Sequence, residues 1–127
     1  MSKMFRSAHV KNVEPNVTLK GAKGYYDKFA SLYQRIVLLE GSILNIDQGD
    51  ETIADSLKNL VHEGYLEVDA NRYIVKKPFS GSPSGIAASV LGKRGPKKPN
   101  GYQLWQFADG KTIEEAGERP IKKQQNK

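Results

Sequence analysis

The sequence predicts an α+β domain: a small, mostly antiparallel β-sheet with two short helices packed on it. Three observations carry this. Ile53, Leu57, Leu60 and Val61 share one helical face. Tyr65–Val68 and Arg72–Lys76 alternate across a short polar turn. Ser82-Pro83 and Gly92 bracket a second apolar segment with a start and a stop signal. The 127 residues suit one domain with a modest core.

Residues 1–16 are polar and unpatterned and read as a flexible N-terminal arm. Val17 to Tyr26 reads as a strand interrupted by Gly21 and Gly24, positions for a bulge or close packing. Phe29 to Tyr33 is ambiguous. Arg35 to Leu44 is the most β-prone stretch, its end marked by Gly41-Ser42. Its run Ile36–Leu39 is apolar throughout, as in a central strand covered on both faces.

Asp47-Gln48-Gly49-Asp50 reads as a turn. A helix then runs from Thr52 to Glu63 and ends at Gly64, with Asp50, Glu51 and Asp55 favouring the dipole at its N-terminus. The hairpin turns at Asp69-Ala70-Asn71. The second helix covers Ser82–Leu91, with Ser82 as N-cap, Pro83 at the first helical position and an apolar face around Ile86 and Val90. Asn100-Gly101 turns the chain into Tyr102–Phe107, read as a strand, and Asp109-Gly110 turns it again. On this reading one domain spans 17–115, and 116–127 is a disordered basic tail with nothing to bury.

Charge is distributed unevenly. The net charge is +6. Positions 1–35 carry seven basic and two acidic residues, positions 36–75 two basic and eight acidic, and positions 76–127 eleven basic and four acidic. The domain should therefore present basic surfaces and an acidic one, and the basic ones favour phosphate backbones over mere solvation.

Catalytic chemistry is poorly supplied. There is no cysteine, hence no disulfide or Cys-ligated metal, and His9 and His62 lie in no ligand-spaced pattern. The carboxylates Asp47, Asp50, Glu51 and Asp55 lack calcium-loop spacing and read as a solvated helix start. No nucleotide-binding glycine loop, HExxH or GxSxG occurs, and Ser82 and Ser84 have no histidine partner. No enzyme, cofactor or metal is expected. No apolar run approaches ~20 residues and the N-terminus lacks a signal-peptide core, so a cytoplasmic protein without a membrane partner is expected.

Binding chemistry is richer. Lys93, Arg94, Lys97 and Lys98 fall within eight residues that hold no acid, among Gly95, Pro96 and Pro99, which limit the entropy lost on docking. Lysines there grip phosphates; Arg94 can do so or read a guanine edge. The amides at the start of the Ser82 helix offer a second anion site. Alternation places Trp105 and Phe107 on the core face and leaves Tyr102 as the exposed aromatic beside the basic loop.

The segments SPSGIAASVLGK and NGYQLWQFADGKTIEE resemble the pattern of a small domain of unknown function found with GIY-YIG nucleases and restriction systems, related to the restriction-enzyme adenine-methylase-associated (RAMA) family. Ile36–Ser42 and Leu60–Leu66 are similar to its upstream strand end and helix end, so the resemblance covers Thr18 to Glu115 in order and spacing. The loop Lys93–Pro99 is longer and more basic than in the family, and Tyr102 stands where the family prefers Trp. The resemblance implies a non-enzymatic reader of DNA, modified DNA included, in restriction, defence or repair. It points to Ser82, Ser84, Asn100, Gly101, Tyr102 and Trp105, as contacts or as parts of the scaffold.

DNA is favoured over RNA as partner. A winged-helix reader fits the order of helix and hairpin, but Lys58 is the one cation of the Thr52–Glu63 helix, which a major groove would repel. A third reading is a protein–protein adaptor or antagonist within a defence system, acting through the acidic region 36–75.

Overall fold

The computed structural model describes residues 5–45, 51–92 and 100–120, with the side chains of 51–53 left out. The expected turn at 47–50, the side chain of Ile53, the cations Lys93, Arg94, Lys97 and Lys98, and residues 121–127 of the tail lie outside the described residues.

The fold is a small α+β one, with two α-helices and eight strands, all paired antiparallel, among the described residues. The strands form two sheets. The larger has the order β1-β8-β4-β3-β2, built from β1 (Phe5–Ser7), β2 (Val17–Leu19), β3 (Ala22–Tyr26), β4 (Ile36–Leu38) and β8 (Phe79–Gly81). The smaller, β5-β7-β6, comprises β5 (Ile43–Asn45), β6 (Leu66–Asp69) and β7 (Arg72–Val75). As the continuous apolar run requires, β4 is the middle strand of the larger sheet, and Ile36, Val37 and Leu38 are each 0 % exposed.

Helix α1 (Glu51–His62) buries Leu57 and Leu60 and packs on β6. Hairpin β6–β7 pairs Asp69 with Arg72 around a two-residue turn in which Ala70 takes a φ of 57°. Helix α2 (Pro83–Leu91) goes beyond the expected single face. Seven of its nine residues are buried, including Gly85, Ile86, Ala87, Ala88 and Ser89. A helix without a polar face belongs inside, and its small residues let it lie against β4, β8 and β5 of both sheets. The one buried hydroxyl inside it, Ser89 Oγ, donates to the Gly85 carbonyl.

Four expectations are corrected. Val17 to Tyr26 is a hairpin rather than one interrupted strand, because Lys20 adopts a φ of 52° and reverses the chain at Lys20-Gly21. The N-terminal arm contains strand β1, whose Phe5 is 0 % exposed and meets Phe79 edge-on, so burial holds it. Tyr102–Phe107 is not a strand: Gly101–Gln103 forms a 3-10 turn, and Gln106 alone makes isolated bridges, to Thr18 and Thr112. The start of the expected tail is held, since the Glu118 amide donates to the Ile113 carbonyl and its side chain meets Lys28.

Register fixes what lies at one end of the larger sheet. Phe5 pairs with Gly81, Gly81 with Ile36 and Ile36 with Tyr26. Beyond that row lie the connection 27–35 and the start of α2, the region that positions the candidate site.

Candidate nucleic-acid interface

Ser82 sits in extended backbone after β8 and its hydroxyl accepts the Gly85 amide at 2.9 Å, the capping bond its sequence position predicts. Pro83 has no amide to lose there. Ser84, one residue on, turns its hydroxyl outward to accept the Gly101 amide at 2.9 Å. That approach is close. A Cβ on Gly101 would collide with the Pro83 carbonyl group and lie 2.6 Å from the Ser84 nitrogen, so a side chain is excluded there by space.

Asn100 completes the junction. Its side-chain oxygen accepts the Tyr102 amide at 3.0 Å, capping the 3-10 turn, so the Asn-Gly pair works here as a cap and a contact rather than a hairpin turn. Trp105 is 0 % exposed and donates its indole N–H to the Pro83 carbonyl at 3.1 Å. Serine, glycine, asparagine and tryptophan together lash the 100–105 segment to the first turn of α2.

The structure thus brings Ser82, Ser84, Asn100, Gly101, Tyr102 and Trp105 to one place and gives each an internal partner. Two expectations change. Tyr102 is buried, 9 % exposed, because the 3-10 turn puts it on the same side as Trp105 three residues later; Phe107 is half-buried against the core. The first-turn amides are not an open anion site, since Gly85 and Ile86 donate to Ser82 and the Gly101 backbone covers the Pro83–Ser84 peptide.

Two arginines that sequence reasoning missed converge on Tyr102. Arg35 donates to the Tyr102 hydroxyl at 3.0 Å and to the Ala30 carbonyl at 3.1 Å. The Arg119 guanidinium lies 4.5 Å from the Tyr102 ring centroid and pairs with Glu114 at 2.7 Å. Hydrogen bonds from Gln103 and then Arg119 hold the Glu114 carboxyl below its usual range. Behind them Tyr26 donates its hydroxyl to the Glu118 carbonyl at 2.7 Å, and burial, then neighbouring Tyr102, raise its pKa well above that of a free tyrosine. The signal for Arg35 was its place at the head of the β-prone stretch; Arg119, 17 residues from Tyr102 in sequence, had none.

The four-cation segment leaves α2 at Gly92 and rejoins the described chain at Asn100. Both ends are fixed. Gly92 has a left-handed φ of 76°, donates to the Ala88 carbonyl, and packs so tightly on Asn45 that a side chain would collide with it. Asn45 in turn donates to the Val90 carbonyl at 2.7 Å, satisfying a carbonyl of the last helical turn.

Asp55, Glu67 and Asp69 lie on α1 and β6, with Lys58 and Arg72 the cations of α1 and β7. Val61, Val68 and Tyr73 line a groove of about 360 Å³ there with Lys58 and His62. Among the described residues no group of three or more His, Cys, Asp or Glu side chains could hold a metal ion, and no helix is long and apolar enough to cross a membrane.

Comparison of the chain with protein-family models, curated proteins and solved structures finds no match.

Proposed function

We propose that this chain is a cytoplasmic, non-enzymatic nucleic-acid-binding module, a reader of DNA rather than RNA, serving restriction, defence or repair. The observation that supports it most is the pairing of four cations within residues 93–98 with two immobilised ends, Gly92 on Asn45 and Asn100–Gly101 on Ser84. Fixed ends and two internal prolines lower the entropy that a basic segment loses on docking to phosphates. The ordered resemblance to the RAMA-related domain supports the same class, with its motif residues now read as the scaffold that presents the loop.

Fluorescence-anisotropy titration of labelled duplex DNA tests this. Binding should weaken steeply between about 50 and 200 mM salt, as phosphate contacts require. Absence of binding at low salt contradicts the proposal.

One observation favours a second reading. Val68 is 53 % exposed within the groove between α1 and the β6–β7 hairpin, in the acidic part of the chain. An adaptor or antagonist of a defence protein would use that face, and a complex formed without DNA would reveal it.

A further inference from the structure

The connection between β3 and β4 carries an unusual surface. Phe29 is 84 % exposed, Leu32 43 % and Tyr33 36 %, within five residues. Folding forgoes the stabilisation that burial of these side chains would give, and three within five residues form a patch rather than a scattered exposure.

The segment is nevertheless well held. The Asp27 amide donates to the Arg35 carbonyl at 2.8 Å and closes its base. Asp27 Oδ1 accepts the Phe29 amide at 3.0 Å, its other oxygen meets His9 Nε2 at 3.1 Å, and the Arg35 Nε donates to the Ala30 carbonyl. A 3-10 turn, Leu32–Gln34, precedes β4. The rings are therefore displayed on ordered backbone.

Each ring also has a cation beside it. Lys28 Nζ lies 5.5 Å from the Phe29 centroid and Arg6 Cζ 5.5 Å from the Tyr33 centroid. Paired rings and cations match the repeating chemistry of a nucleic-acid strand, a planar base followed by an anionic phosphate. Bases inside a duplex offer no free face, so the match is to unpaired ones. Next to Phe29 a cleft of about 440 Å³, bordered by Tyr25, Tyr26 and Phe107 and by the acids Asp27, Asp109 and Glu118, gives an extruded base room. Of the neighbouring acids, Asp27 meets His9 at 3.1 Å and Glu118 meets Lys28 at 2.9 Å, a half-exposed pair that a phosphate would have to displace. Position supports the idea further. The segment lies beyond the same end of the larger sheet as the start of α2, where Arg35 links it to Tyr102 and thus to the exit of the four-cation loop.

We propose that Phe29 and Tyr33 form a stacking site for unpaired nucleobases, with Lys28 and Arg6, the cations beside the two rings, facing the adjoining phosphates. This rests on the nucleic-acid reading above and adds a site for unpaired bases to the duplex contact proposed for residues 93–98.

The test compares a short single-stranded oligothymidylate with a duplex of equal length, using the full chain and the variants Phe29→Ala, Tyr33→Ala, Phe29→Leu and Phe29→Trp. Both rings are exposed, so the variants should keep the wild-type circular dichroism spectrum. Phe29→Ala and Phe29→Leu should lower single-strand affinity about 5- to 150-fold, the loss of one stacked base, with the salt slope unchanged. Phe29→Trp should retain affinity, and its emission should be quenched on binding. Wild-type affinity in Phe29→Ala and Tyr33→Ala while the protein still binds DNA overturns the stacking site alone. Failure of the wild type to bind either oligonucleotide overturns the nucleic-acid reading together with it.

Discussion

The Ser84 hydroxyl accepts the Gly101 amide at 2.9 Å across 17 residues of chain, and the approach leaves no room for a side chain at Gly101. Gly101→Ala should destabilise the fold by about 1–3 kcal/mol, because the colliding atoms are backbone and cannot swing aside. Ser84→Ala should cost about 1 kcal/mol, the loss of one hydrogen bond. Thermal denaturation of both variants checks the order.

Ser82 caps helix α2, its hydroxyl accepting the Gly85 amide. Ser82→Ala should cost about 1 kcal/mol and Ser82→Gly only a few tenths, the pattern of a lost N-cap. Duplex affinity measured where both variants are folded should stay at the wild-type value. A drop in affinity without a drop in stability would make Ser82 a contact.

Trp105 is the chain's single tryptophan and is wholly buried. Its emission should resist acrylamide quenching in the folded state and become accessible in urea. Trp105→Phe should cost about 1–3 kcal/mol, since the Pro83 carbonyl loses its buried donor. Urea unfolding followed by circular dichroism should show a lower midpoint with an unchanged slope.

Tyr26 supplies a pH dependence. Burial and then Tyr102 raise its pKa above the ordinary 10.0. The folded state therefore holds the proton longer than the unfolded one, so stability is full below about pH 10 and falls as the pH rises beyond it. Tyr26→Phe should flatten that alkaline decline. Tyrosinate absorbance and the thermal midpoint, followed together against pH, check the coupling.

Sequence reasoning succeeded where local signals act alone. Ser82-Pro83 and Gly92 bound α2 because capping and left-handed termination are decided within a turn of the chain. The face of Leu57 and Leu60 placed α1, and the apolar run at Ile36–Leu38 placed the central strand. Reasoning failed where tertiary contacts decide. Tyr102–Phe107 has the composition of a strand, but the Trp105 indole must reach the Pro83 carbonyl and Gly101 must touch Ser84; the 3-10 turn meets both demands. Lys20 adopts a positive φ without the usual Asn-Gly signal, which hid the first hairpin. In β1 three residues are too few for periodicity, so Phe5 was missed. Likewise the motif residues were legible as a group, but their role was not, because a serine that caps a helix and one that grips a phosphate look alike in sequence.

The salt dependence of duplex binding, compared between the wild type and the variant with Lys93, Arg94, Lys97 and Lys98 all changed to Ala, tests the central claim most directly. The plot of log affinity against log salt should lose about 3–4 units of slope in the variant, one counterion for each phosphate contact removed, while its thermal midpoint stays near the wild-type value. Equal slopes and affinities in the two proteins, or a wild type that binds no duplex at low salt, would contradict it.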